Sequence, residues 1–202
     1  MKNRLLLLTM FFSLLLVSSY GQKMKIKYGI KAGVNLASIS NSQDNISFSP
    51  QMKTDFQAGV VLNLHWGFRN ELSGLGTGKF GLQPEILYSR QGFTANGTAI
   101  NLDYITLPIL AKYYATKAFS IEAGPFFSYL LSVSPNSTVI DGAAITLSKL
   151  QQGKDAGLAV GLSYEFSKGL NLSTRYNLGM SDVSNNLKWK NSVIAISIGW
   201  LF

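Results

Sequence analysis

The chain contains no cysteine, one histidine and little charge. Charged residues make up 14% of its 202 positions, against ~25% in ordinary globular domains. Without cysteine, a lipoprotein is excluded, because lipid attachment needs a cysteine after the leader. A single histidine, His65, leaves no histidine pair for a metal, and none is expected. There is no GxSxG string and no phosphate-binding glycine loop. After residue 22 there is also no long apolar run. The nearest, YITLPILAKYY, carries Pro108 and Lys112, so the mature chain has no transmembrane helix.

What is present begins with residues 1–22. Lys2 and Arg4 form a positive start, Leu5 to Val17 an apolar stretch, and Ser19 and Gly21 a small-x-small cleavage site. This is the layout of a secretory signal peptide. The stretch is short of the ~20 residues that a spanning anchor needs. The expected domains are therefore a signal peptide at 1–22 and one further domain at 23–202. Cleavage leaves 16 basic against 10 acidic residues, and 12% of the whole chain is aromatic.

Period-two alternation dominates, and helical periodicity is hard to find. Eight segments read as strands: YGIKAGVNLA, DFQAGVVLNLHW, FGLQPEILYS, YITLPILAKYY, FSIEAGPFFSYLL, DAGLAVGLSYEF, LNLSTRYNLGMS and NSVIAISIGWLF. In the first, Tyr28, Ile30, Ala32, Val34 and Leu36 oppose Gly29, Lys31, Gly33 and Asn35. Each segment approaches the ~9–11 residues of a tilted bilayer-crossing strand. The connectors are 38–54, 67–79, 91–101, 114–118, 132–153, 167–169 and 182–190. The 132–153 connector holds STVI and AAITL, and a ten-stranded count follows if these add a hairpin to the sheet.

Alternation alone also fits a soluble lipocalin-like barrel or a two-sheet sandwich. Composition decides between them. A wet outer face would be rich in Lys, Glu and Asp, whereas here the polar face is mostly Gly, Ser, Ala, Asn and Gln. Small residues suit the crowded interior of a narrow barrel. Aromatics gather near segment ends as a membrane-boundary girdle: Tyr28, Trp66, Tyr88, Tyr113, Tyr164, Tyr176 and Trp200. The fold class expected is an all-β, closed, antiparallel, up-and-down transmembrane barrel with its apolar face in lipid. Its address is the bacterial outer membrane.

The chain resembles the PorT-like outer-membrane β-barrel family over essentially its whole mature length. The resemblance rests on YGIKAGVNLA, LQPEILYSRQGF, YITLPILAKYY, IEAGPFFSYLLS, DAGLAVGLSYEF and RYNLGMSDV, in that order and spacing. It implies a barrel in the outer membrane, and one subgroup is associated with protein secretion. The terminal Phe202, after alternating apolar residues, is similar to the assembly signal read by the barrel-insertion machinery.

The inward face collects Lys31, Glu85, Lys112, Glu122, Glu165 and Arg175. These charges are expected to pair, since an isolated buried charge costs several kcal/mol. A filled, structural interior is one reading, and a narrow porin-like path for ions or small solutes is the alternative. A lipid-modifying enzyme would have to use His65, and no catalytic residue or cofactor is assigned. Lys23, Lys25, Lys27, Lys188 and Lys190 suit anionic headgroups or the phosphates of surface glycolipid. Outer-membrane lipid and a protein partner at 38–54 and 132–153 are thus expected, and nucleic acid is not. The function expected is a non-enzymatic envelope barrel with a structural or loop-mediated role.

Overall fold

The computed structural model describes residues 23–41, 51–67, 79–95, 98–135, 137–140, 143–146, 153–181 and 189–202. The proposed signal peptide at 1–22 lies outside them, as does Lys188. The strands are β1 (Lys23–Asn41), β2 (Gln51–Gly67), β3 (Phe80–Ala95), β4 (Thr98–Tyr114), β5 (Phe119–Ser134), β6 (Ser137–Ile140), β7 (Ala143–Thr146), β8 (Lys154–Glu165), β9 (Leu170–Gly179) and β10 (Trp189–Leu201). Eight of them close an antiparallel barrel in the order β1-β10-β9-β8-β5-β4-β3-β2. Closure runs from Gly29↔Leu201 to Asn41↔Trp189. No sheet edge is then left to meet hydrocarbon, which could not satisfy it.

The hairpin suspected at STVI and AAITL exists as β6 and β7, but these pair only with each other. Four-residue strands cannot cross a bilayer, so β5 pairs directly with β8. The barrel therefore has eight strands and not ten. Several strands also run further than the alternation suggested. The 91–101 connector shrinks to residues 96–97, because β3 and β4 stay in register from Arg90↔Asp103 to Ala95↔Thr98. Polar strand ends hid this continuation, since pairing beyond the lipid boundary needs no apolar face.

Apolar side chains point outward all the way round. Ile30, Val60, Ile86, Phe127, Val160 and Ile196 are each about half exposed, as residues covered by lipid should be. The inward face is less uniformly small and polar than expected. Leu87, Phe93, Ile100, Leu102, Tyr104, Leu130 and Val133 are all buried. They lie on β3, β4 and β5 towards residues 96–97 and the 135–153 connector, so on that side of the interior apolar side chains sit among polar ones such as Ser89 and Gln91.

Two features of the wall depend on single residue types. Pairing lapses between Val61↔Glu85 and Leu64↔Leu82, between Pro84↔Ile109 and Leu87↔Thr106, and between Pro108↔Phe126 and Ala111↔Ala123. The lapses abut Pro84, Pro108 and Pro125, which have no N–H to donate. Gly157 faces Phe126 across β5 and β8. A Cβ there would lie 2.8 Å from the Phe126 ring, so only glycine lets that ring turn inward.

Gly157→Val should destabilise the barrel by about 1–3 kcal/mol through overpacking. Urea midpoints of folding into lipid vesicles check this, and an unchanged midpoint would contradict the packing.

Candidate functional site: the charged lumen

The inward register positions converge on one ion-pair cluster at mid-barrel. Arg175 stands on β9, and β3 lies diametrically opposite in the strand order. The Arg175 side chain spans that width. Its Nη1 donates to Glu85 Oε2 at 2.9 Å and its Nη2 to Glu85 Oε1 at 2.8 Å. The same guanidinium reaches Glu122 Oε1 on β5, from Nε at 3.0 Å and from Nη2 at 2.8 Å. A planar fork of donors is what allows one side chain to hold two carboxylates.

Two lysines complete the cluster. Lys31 Nζ on β1 donates to Glu85 Oε1 at 3.3 Å. Lys112 Nζ on β4 donates to Gln83 Oε1 at 3.0 Å and Ser163 Oγ at 3.1 Å, and lies 3.5 Å from Glu122 Oε2. Gln83 Nε2 donates to Glu85 Oε1 at 2.7 Å. All five charged residues are at most 5% exposed. Space for them comes from facing small residues. Gly161 sits opposite both Glu122 and Arg175, and a Cβ on it would come within 3.2 Å of Glu122 Oε1.

Glu165 does not join the cluster expected to hold it. It ends β8 near the barrel mouth, where it pairs with Lys27, and both side chains are about a fifth exposed. The error lies in height. Strand parity puts Glu165 on the correct face, but it cannot say that the residue is two inward positions beyond Gly161. Lys27, expected at lipid headgroups, is its partner instead.

Below the cluster, His65 stacks on Tyr114 with ring centroids 4.2 Å apart and planes 12° apart. Asn63 Nδ2 donates to the Tyr114 hydroxyl at 3.0 Å. His65 thus belongs to the floor of the lumen. Above the cluster lies a second polar layer that strand parity alone did not single out. Gln57 Nε2 donates to Ser197 Oγ at 2.8 Å, and Asn35 Nδ2 to Ser89 Oγ at 2.9 Å. Asn191 Nδ2 donates to Asp155 Oδ2 at 3.2 Å and to the Tyr104 hydroxyl at 3.3 Å. Asp155 opens the string DAGLAVGLSYEF on its inward parity, and that was the available signal. A small cavity of about 10 Å³ is lined by Arg175 and Asp155, which is room for about one water.

Of the aromatics expected as a girdle, five lie towards one end of the barrel, Tyr88 stands towards the other, and Tyr176 directly follows mid-barrel Arg175 on β9. Towards the end carrying the chain terminus, Tyr28 meets Phe202 at 5.8 Å and Phe80 meets Tyr113 at 5.5 Å. Tyr164 meets Phe166 there at 4.7 Å. Trp66 faces Phe80 across β2 and β3, and Trp200 faces Leu170 across β10 and β9. Towards the other end, Tyr88 meets Phe56 at 5.8 Å. The Tyr176 hydroxyl lies 2.7 Å from Ser192 Oγ. Phe202 donates its N–H to the Tyr28 carbonyl at 2.7 Å.

Arg175→Met would strand two buried carboxylates, and should cost about 3–5 kcal/mol of folding stability. Glu165→Gln, at the wetter pair, should cost under about 1 kcal/mol. Equal urea midpoints for the two variants would contradict the layering.

Residues 20–185 match the family model described as outer membrane protein beta-barrel domain. Among solved structures, Neisserial surface protein A is similar over 87% of this chain and 97% of its own, at 14% identity and a TM-score of 0.53. Ail of Yersinia pestis matches over 87% and 98% at 14% identity, with a TM-score of 0.45. OprG of Pseudomonas aeruginosa matches over 90% and 96% at 12% identity, with a TM-score of 0.41. Among curated proteins, none matches the chain. The similarity to the Neisserial protein is one of fold. With the family model covering most of its length, the chain belongs to the outer membrane protein beta-barrel domain family.

Proposed function

We propose that the protein is a closed, non-enzymatic outer-membrane barrel, whose role is structural or is carried by the connectors it presents at the 42–50 and 135–153 end. One observation carries this reading: Arg175 bridges the full width of the lumen to Glu85 and Glu122. The small cavity between that bridge and Asp155 holds about one water. An eight-stranded barrel is only wide enough to be filled by its own side chains, and these ones are mutually paired. The porin-like alternative would require at least four charge-assisted hydrogen bonds to part. His65 stacks on Tyr114, an arrangement that offers no support for a lipid-modifying site.

The remaining assignments belong to the same reading. Residues 1–22 act as the signal peptide, and Phe202 acts as the assembly signal. The exposed Phe202 ring against Tyr28 supports the latter. The strand strings support a PorT-like grouping within the family. A role beside protein secretion has no residue here that argues for it.

Planar-bilayer recording of the refolded protein tests the closed lumen. The wild type should show no steady unitary current. Glu85→Ala combined with Glu122→Ala should introduce small currents by freeing Arg175. Steady wild-type currents that Arg175→Ala abolishes would overturn the reading in favour of a channel.

A further inference from the structure

The lipid-facing wall is not smooth. A recess of about 810 Å³ runs across β1 to β5, with Ile30, Val60, Leu62, Ile86 and Ile109 among its walls and Pro84 and Pro108 along it. A second, of about 380 Å³, is walled by Ile105, Tyr129, Lys154 and Ala156. Leu107 and Phe127 line both, so the two recesses adjoin at this facing pair and together make a stepped apolar trench. Its course follows the interruptions in strand pairing beside Pro84, Pro108 and Pro125. On the outward face Pro84 stands in place of a larger side chain, whereas the Pro108 ring points into the lumen.

The ends of the trench differ chemically. At one end lie Tyr28 and Phe202, and among the described residues no lysine or arginine lines the recess there. At the other, Lys154 begins β8 directly opposite Tyr129. Lys154 is exposed on the outward face and has no carboxylate partner among the described residues. Tyr129 is half exposed beside it. An apolar channel ending in an unpaired ammonium and a phenol matches an amphiphile with acyl chains, a phosphate and hydroxyls. Lys154 follows the 135–153 connector, so it stands at the end bearing the long connectors. In outer-membrane barrels that end faces outward, where the leaflet lipid is a phosphorylated glycolipid.

We propose that the trench and Lys154 form a binding site for an outer-leaflet glycolipid, with one acyl chain in the trench and a sugar phosphate on Lys154 Nζ. The inference rests on the outer-membrane reading above and on the long connectors facing out. It does not depend on whether the lumen conducts. Ammonium–phosphate attraction at a membrane boundary sets the headgroup, and buried acyl methylenes supply the remaining affinity.

Native mass spectrometry of the full barrel in an uncharged detergent tests the site, using three probes: bis-phosphorylated lipid A, the same lipid A with its phosphates removed, and phosphatidylglycerol. One lipid A should be retained per barrel, and the other two lipids several-fold less. Lys154→Gln should weaken lipid A about fivefold, as loss of one boundary lysine implies. Leu107→Trp should block the trench, while Lys117→Gln, exposed in the 115–118 turn at the opposite end of the barrel, should change nothing. Heat-modifiable gel mobility reports separately whether each variant still forms the barrel. Intact variants that bind lipid A as well as the wild type would overturn the site and leave the barrel reading standing. Equal retention of dephosphorylated lipid A or phosphatidylglycerol would overturn the glycolipid assignment.

Discussion

Hydrocarbon offers no hydrogen-bond partner to a peptide group, so a sheet that crosses it must close on itself. Eight strands close to a width that only side chains fill. Whatever points inward must therefore find its partner inside. Lys31, Glu85, Lys112, Glu122 and Arg175 satisfy that requirement together, with Arg175 reaching from β9 to the opposite strand. The outer face answers to the other half of the same constraint. It carries exposed Ile, Val, Leu, Phe or Tyr on every strand of the barrel, because lipid is its solvent.

The ion cluster is not a simple source of stability. Burying five charges costs several kcal/mol each before pairing returns it, and an apolar filling of equal volume could do as well. What the cluster adds is discrimination between registers. A one-residue slip of β9 would send Arg175 into lipid and turn Tyr176 inward. Such a penalty specifies one strand alignment more sharply than interchangeable apolar contacts would. Polar layers above and below, at Gln57–Ser197 and Asn63–Tyr114, constrain the alignment in the same way.

Much of this was legible in the sequence, because strand parity is a one-dimensional property. Alternation put Ile194, Ile196 and Ile198 on one face and Arg175, Glu122 and Glu85 on the other, as the structure has them. Height along the barrel axis is not one-dimensional, since it depends on the stagger between strands. Glu165 was therefore grouped with charges that lie well above it. Nor did parity show that the inward row turns apolar at Phe93, Ile100 and Leu102, or that Asp155 and Asn191 meet at Tyr104. The β6–β7 hairpin was visible as two short apolar strings. Its exclusion from the wall follows from strand length, a criterion that those strings already failed.

Both halves of the constraint can be read along one strand. The chain has no cysteine, so single cysteines at positions 193 to 198 of β10 can each carry a spin label. Collision with oxygen, which dissolves in lipid, and with a water-soluble nickel chelate should then be measured in bilayers. Oxygen accessibility should peak at Ile194, Ile196 and Ile198, with Val193, Ala195 and Ser197 shielded from both reagents. Nickel access at 193, 195 and 197 would mean a water-filled interior, and loss of alternation would mean that the barrel is not seated in lipid as described.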